Sequence, residues 1–283
     1  MDGIDGANSD LEKTLQKEIH DLAEKQFFLG DELEDNYDEE YFCSINKKNT
    51  AENSKSVSSI LTPDHWLALS TGLAGINKKN PYVFLAKANY HIQKGESYGN
   101  FHSAYKNTEK ALKIDAKNDV FRLNSVYLQE SIIGWNYLTA PETTDFMGKI
   151  DEIVAFSASE KKLAFAYNTY VALALWFLCD SSFDKGNTPE FKKLIKYQSL
   201  ARENLVKHNP QDTANILCLI DCYTILDDFE SKTSAIRQFE LSLEKYNNNT
   251  RFNRRLLKRI KNEPAGHKVR LNIPYSESIG IIH

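Results

Sequence analysis

The amino-acid sequence predicts an all-α fold built from antiparallel helical hairpins, and three observations lead to this class. Glycine and proline are scarce, with 12 and 7 among 283 residues, so long stretches contain no residue that interrupts a helix. Apolar residues recur at the helical period of about 3.6 residues through most of the chain. Short polar connectors, such as 77–80 and 209–211, separate the periodic segments. Short connections of this kind place neighbouring helices antiparallel.

The elements follow in order from the N-terminus. Residues 1–8 are predicted to be disordered, after which Ser9 and Glu12 form a capping box that predicts a helix over 10–30. Residues 46–59 are polar and typical of a linker. Thr62 then predicts the start of the body, because the proline that follows it suits the first position of a helix. The body is predicted to form helices near 63–76, 81–94, 101–115, 119–138, 145–155, 158–180, 189–208, 212–227, 231–247 and 250–262.

These elements divide the chain into three parts. The first, 1–60, contains the N-terminal helix and the polar linker, and the second, 61–262, is a helical domain. The third, 263–283, is predicted to be an extended tail. Segment 163–179 is apolar almost throughout, but a helix of 17 residues is shorter than a bilayer core of about 30 Å. It is therefore predicted to be a buried helix of a soluble protein, with neighbours on every side.

Compartment and charge add two expectations. The four cysteines are too few for a disulfide scaffold, and the N-terminus has no basic and apolar leader, so we expect a cytoplasmic location. The formal charge is −11 over 1–42, +1 over 43–250 and +6 over 251–283. This asymmetry predicts docking of the acidic segment 10–42 on the body near the basic helix, or self-association through it. A mobile solubilising arm is the alternative.

Two windows resemble the tetratricopeptide repeat, a helix pair of about 34 residues. In the first, Ala104 and Ala111 stand where small residues let two helices approach, and in the second Ala235 does so, followed by Phe239 and Leu243. Both windows depart from the family pattern in their loops and lack its terminal proline.

The resemblance implies a fold and a function. The fold is a right-handed superhelix of stacked hairpins, and an irregular α-helical bundle is the alternative. The implied function is a scaffold or adaptor that binds a peptide or a partner helix in a helical groove. The inward-facing positions of the family fall on Lys87, Tyr90 and His91, which are therefore candidate partner-binding residues.

The sequence offers little support for catalysis. It contains no phosphate-binding glycine loop, no nucleophile elbow and no zinc-protease motif. Cys218 and Cys222 share one helical face but sit among core residues, so we interpret them as packing residues and not as metal ligands. We therefore expect no cofactor, no metal and no enzymatic activity. An enzyme with an unrecognised site between helices is the remaining alternative, and His91, His102 and Glu96 around one long loop are its candidate acid–base groups.

The last predicted helix is basic and amphipathic. Its apolar residues fall on one face, which is typical of a helix that caps a repeat array. Its cations form a candidate anion-binding surface for an acidic peptide, an anionic lipid surface or, less favourably, nucleic acid. These cations are Arg251, Arg254, Arg255, Lys258, Arg259 and Lys261.

Overall fold

The structure, a computed structural model, describes residues 2–28, 62–134, 141–157, 164–182, 188–245 and 251–262. These residues form α-helices with short connections, and none of them lies in a β-strand. The all-α prediction is therefore confirmed. The helices are α1 (Asp2–Phe28), α2 (Pro63–Ile76), α3 (Pro81–Gln93), α4 (Tyr98–Ile114), α5 (Asp119–Gly134), α6 (Pro141–Ser157), α7 (Ala164–Ser182), α8 (Pro189–His208), α9 (Thr213–Ile225), α10 (Phe229–Lys245) and α11 (Arg251–Asn262).

Local sequence explains where several helices begin. Thr62, Asn80 and Thr188 each have an extended backbone, and the side-chain oxygen of each accepts a hydrogen bond from a backbone N–H of the first turn. A proline follows each of these caps at the first helical position, where its missing N–H has no intrahelical partner to lose. The predicted starts of α2, α3 and α8 are confirmed for this reason.

Two other helices begin earlier than predicted. Ser97 accepts a hydrogen bond from the backbone N–H of Asn100, so α4 begins at Tyr98 and not near 101. Helix α6 begins at Pro141 and not near 145, because proline again suits the first helical turn. In both cases the apolar pattern alone identified the helix but not its polar first turn.

Helix α1 corrects the prediction for the N-terminus. The helix begins at Asp2, so residues 2–8 are helical and not disordered as predicted, and Ser9 lies inside the helix and caps nothing. The carboxylate of Glu12 does not close a capping box. Instead it accepts hydrogen bonds from Asn77 and Asn80, at 2.9 and 2.8 Å, in the connection between α2 and α3. A tertiary contact has therefore taken the place of the predicted local one.

The chain divides into two compact units, Met1–Thr144 and Asp145–His283. In the first unit, α1 packs against α2 and α3. Glu12 binds the end of α2 and Glu18 lies 3.8 Å from His65 at its beginning, so α1 and α2 are antiparallel. His20 and Gln26 contact the beginning and the end of α3, respectively, so α1 and α3 are parallel.

Helices α4 and α5 form the next antiparallel pair of the first unit. The amide of Asn124 donates to the hydroxyl of Thr108 at 2.9 Å, and Gln129 donates to Tyr105 at 3.1 Å. All four side chains are buried. Since a buried polar group without a partner is costly, these two bonds specify how the helices are aligned.

Helix α7 is part of the core of the second unit, and Val171, Ala172, Ala174 and Leu175 are fully buried. One face of the helix is only half-buried, so the prediction of neighbours on every side is wrong for that face; it contains Ala166, Thr169, Tyr170, Leu173 and Phe177. Helices α5 and α9 bury a similar share of their side chains, so α7 is one of several core helices. No helix in the described ranges is both long and apolar enough to span a membrane.

Segments 29–61 and 263–283 lie outside the described residues, and with them the predicted linker, the acidic run after α1 and the predicted tail. The docking of the N-terminal helix on α2 and α3 is observed. Contact of the acidic segment with the basic helix stays a prediction.

Candidate partner-binding groove

A groove in the second unit could hold a ligand. It has a volume of about 450 Å³ and lies between α8 and α10, with α9 beneath it. Val206, Leu219 and Ala235 contribute apolar surface, and they belong to the hydrophobic core of this unit. Polar side chains of α8 and α10 line the rest: Glu203, Lys207, Ser231, Ser234 and Gln238.

The turn between α9 and α10 sets the direction of one groove wall. Asp227 has a φ of 57°, in the left-handed region that non-glycine residues rarely adopt. Asp228 follows and its carboxylate accepts the backbone N–H of Ser231 at 3.0 Å, which caps α10. Hydrogen bonds from Ser231 hold the pKa of the Asp228 carboxyl below its usual value. The cap therefore stays ionised at neutral pH.

A second contact aligns the other end of α10. The hydroxyl of Ser242 donates to the carbonyl of Gln211 at 3.2 Å, in the connection between α8 and α9. Helix α10 is therefore antiparallel to α9 and parallel to α8. The two walls of the groove consequently run in the same direction.

A hydrogen bond between Tyr223 and Glu203 crosses from α9 to α8. The phenol of Tyr223 donates to the carboxylate of Glu203 at 2.7 Å. Burial, and then the hydrogen bond to Glu203, raise the pKa of Tyr223. The phenol therefore stays a donor at physiological pH, and the second oxygen of Glu203 remains able to accept from a ligand.

Three polar side chains of the groove make no hydrogen bond or ion pair within the part of the chain that the structure describes. They are Lys207 on α8, and Ser234 and Gln238 on α10. Lys207 and Ser234 are exposed, and Gln238 is half-buried. These groups offer donors and acceptors to a bound molecule at no cost to the fold.

The predicted partner-binding residues on α3 lie in the first unit. Lys87 is exposed, and Tyr90 and His91 are half-buried with their ring centroids 5.2 Å apart. The ammonium of Lys94 lies 5.3 Å from the Tyr90 ring centroid. Burial, and then the nearby Lys94, lower the pKa of His91. This aromatic and basic surface contains side chains suited to partner contact, but no described cavity is associated with it.

The apolar side of α11 packs as a capping helix would. Leu256, Leu257 and Ile260 pack against the core that also forms the groove floor. The anion-binding candidates Arg254, Arg255 and Lys258 are exposed, and the structure gives none of them an ion pair within the described ranges. Lys261 is paired with Glu240. The side chains of Arg251 and Arg259 lie outside those that the structure describes.

The cysteines are core residues, as predicted. Cys179, Cys218 and Cys222 are buried, and none of them is in a disulfide bond. Burial raises the pKa of Cys218 to about 11 and that of Cys222 well above its ordinary value. The thiols of Cys218 and Cys222 are therefore protonated and unreactive at neutral pH. Cys43 lies outside the described residues.

The acid–base candidates do not form one site with a described cavity. His102 is hydrogen-bonded through Nδ1 to Glu142, at the first turn of α6, and its ring stacks on Tyr98 with centroids 5.4 Å apart. His91 instead contacts Tyr90, and Glu96 is exposed. Among the described residues, no group of three or more potential ligands could hold a metal ion.

The groove could not be predicted from the sequence, because three helices have to pack before it exists. Ala235 was recognised as a position of the second repeat-like window, but nothing in the sequence placed Glu203 and Lys207 opposite it. Comparison with protein-family models, curated proteins and solved structures found no match for this chain.

Proposed function

We propose that this chain is a scaffold or adaptor that binds a peptide or partner helix in the groove between α8 and α10. The observation that carries this proposal is an open groove with an apolar floor, on whose walls Lys207, Ser234 and Gln238 have no partner among the described residues. A few apolar anchors together with convergent polar groups are what a recognition site requires. In this proposal the protein is not an enzyme and needs no cofactor.

The arrangement of the helices supports a tetratricopeptide-like class for each unit. The pairs α1–α2, α4–α5 and α9–α10 are antiparallel, whereas α1 and α3 run parallel, as first helices of successive hairpins do in a stacked array. Ala104, Ala111 and Ala235 are buried, consistent with close helix approach. We therefore propose that each unit follows right-handed superhelical stacking. In this scheme α8 and α10 are the second helices of their pairs. Helix α3 is a first helix, and its surface with Lys87, Tyr90 and His91 offers a further surface for a partner.

The location follows from the same proposal. The buried, free thiols of Cys218 and Cys222 fit a reducing environment, so we propose that this function is cytoplasmic.

A groove-blocking variant tests the proposal. The full-length chain is screened against an immobilised library of capped peptides, and the binders are measured in solution by fluorescence anisotropy. Ser234→Trp places a bulky ring on the groove wall without altering the core, and it should weaken binding at least about tenfold, or about 1.4 kcal/mol. Thr233→Trp, on an exposed position of the same helix, is the matched control and should bind normally. A library without binders, or equal binding by the two variants, would refute the groove as the site.

A second candidate function is supported by α11. The exposed and unpaired Arg254, Arg255 and Lys258 form one basic surface, which suits an anionic partner. Binding to a duplex oligonucleotide or to vesicles with anionic lipid should then fall steeply with salt. Changing these three residues to Gln should abolish it, whereas the same change at Lys192, Lys193 and Lys196 should not. The same variants test self-association through the acidic segment. It would be detected as a molecular mass in solution that changes with salt concentration.

A further inference from the structure

The two walls of the groove carry matched pairs of polar side chains. On α8, Glu203 and Lys207 are four residues apart, and on α10, Ser234 and Gln238 are also four residues apart. Four residues of helix correspond to a rise of about 6 Å. Because α8 and α10 are parallel, the two pairs run in the same direction along the groove. The groove therefore presents opposite charges on one wall and neutral hydrogen-bonding groups on the other.

The neutral wall distinguishes between an extended ligand and a helical one. In the middle of a helix, backbone N–H and C=O groups are bonded internally, so a bound helix would leave the amide of Gln238 unsatisfied. An extended chain has free backbone groups that repeat about every 6.6 Å along one edge. This repeat is close to the rise between Ser234 and Gln238. Gln238 can donate to and accept from one backbone amide at once.

The charged wall defines the side chains of the ligand. Side chains of an extended chain alternate in direction, so an apolar residue that enters the floor leaves its two neighbours on the open side. Those two neighbours are again about 6.6 Å apart, close to the rise between Glu203 and Lys207. A basic residue suits Glu203, whose second oxygen is available because Tyr223 binds only one. An acidic residue suits the unpaired ammonium of Lys207.

We infer that the groove binds an extended peptide with a core of one basic, one apolar and one acidic residue in succession. This inference rests on the proposed function and adds its ligand class. The apolar side chain occupies the floor formed by Val206, Leu219 and Ala235, the charged side chains pair along α8, and the backbone bonds to α10. Two other kinds of ligand are the alternatives. One is a partner helix, and the other is a peptide that is recognised only through its apolar residue.

Capped peptides separate these cases. The probes are fluorescent peptides with an arginine–leucine–aspartate core flanked by glycine and serine. The comparison peptides have glutamine–leucine–asparagine, arginine–leucine–arginine and aspartate–leucine–aspartate cores, and a stapled helical peptide presents the first core in helical form. With the full-length chain, the first core should bind about fivefold more tightly than the neutral one, which corresponds to one or two exposed charge pairs. The helical form should bind more weakly than the extended one.

A charge reversal then tests the assignment without relying on loss of binding. Lys207→Glu should weaken binding of the arginine–leucine–aspartate core about fivefold and strengthen binding of the arginine–leucine–arginine core by a similar factor. Lys196→Glu, an exposed position of α8 away from the groove, should change neither. A gain of binding cannot come from misfolding, so a reversed preference supports the inference.

The outcomes also separate this inference from the proposed function. If peptides bind, and Ser234→Trp blocks their binding, but their affinity does not depend on charge, the proposed charge pattern is overturned. The groove then remains the binding site. If the helical peptide binds more tightly than the extended one, the inference that the ligand is extended is overturned. Absence of binding by any library peptide would refute both.

Discussion

His20 Nδ1 lies 3.2 Å from the phenol oxygen of Tyr82, and this contact joins the N-terminal helix to α3. Asn118, just before α5, donates to the same oxygen at 3.1 Å. The ring of Tyr82 also meets Phe121 edge to face, with centroids 5.1 Å apart. One side chain therefore connects three segments of the first unit that are far apart in sequence.

Tyr82→Phe should lower the free energy of unfolding by about 1 to 2 kcal/mol, because it removes the partner of two hydrogen bonds and keeps the ring. Urea denaturation followed by circular dichroism measures this loss. Tyr90→Phe is the matched control, since the structure gives the Tyr90 hydroxyl no hydrogen bond among the described residues. Equal stability of the two variants would show that the Tyr82 network contributes nothing.

Docking of α1 should depend on pH through Glu12. Hydrogen bonds from Asn77 and Asn80 lower the pKa of the Glu12 carboxyl from its ordinary value of 4.5. A group whose pKa is lowered on folding adds stability above its unfolded pKa, and this stability is lost as pH falls through its folded pKa. Wild type should therefore be more stable than Glu12→Ala near neutral pH, and the difference should shrink below about pH 4. A stability difference that stays constant from neutral pH to about pH 3 would contradict this contribution of Glu12.

The buried helix α7 should be sensitive to loss of volume. Leu175 is fully buried, so Leu175→Ala should cost about 2–5 kcal/mol. Leu173 is only half-buried, so Leu173→Ala should lower the free energy of unfolding by less than Leu175→Ala does. Leu241→Ala on α10 is a control, because that side chain is 55% exposed. A loss below about 1 kcal/mol for Leu175→Ala in urea denaturation would contradict tight packing around α7.

Glu130 on α5 should make the first unit less stable as pH rises. Burial raises its pKa to about 7, while a hydrogen bond from Ser131 opposes this. The folded state therefore holds a proton that the unfolded state releases near pH 4.5, and stability falls between about pH 4.5 and 7. Glu130→Gln should remove this slope and stabilise the protein at pH 7 by about 1–3 kcal/mol. An unchanged dependence of stability on pH in Glu130→Gln would contradict this assignment.

Local interactions explain why the helix starts at 63, 81 and 189 were predicted correctly. The structure shows that Thr62, Asn80 and Thr188 cap their own first turns, and these hydrogen bonds depend on no distant part of the chain. The burial of Val171, Ala172, Ala174 and Leu175 was also readable, because a strongly apolar helix needs neighbours that cover its apolar residues.

Glu12 shows where the same reasoning failed. Its spacing from Ser9 is that of a capping box, yet in the folded chain it binds Asn77 and Asn80, which are more than 60 residues away. A carboxylate binds whichever donors reach it, and a local pattern does not reveal distant donors. The polar pairs between α4 and α5 were unpredicted for the same reason, since their partners belong to different helices.

The sequence by itself determined the class of fold, the order of the helices and the burial of the cysteines, because periodicity and capping act within a few residues. The tertiary structure alone decided that Glu203 and Lys207 lie across a groove from Ser234 and Gln238. The physical reason is that a groove exists only between elements. Its walls come from helices whose alignment is set by contacts such as that between Ser242 and Gln211, which no single helix contains.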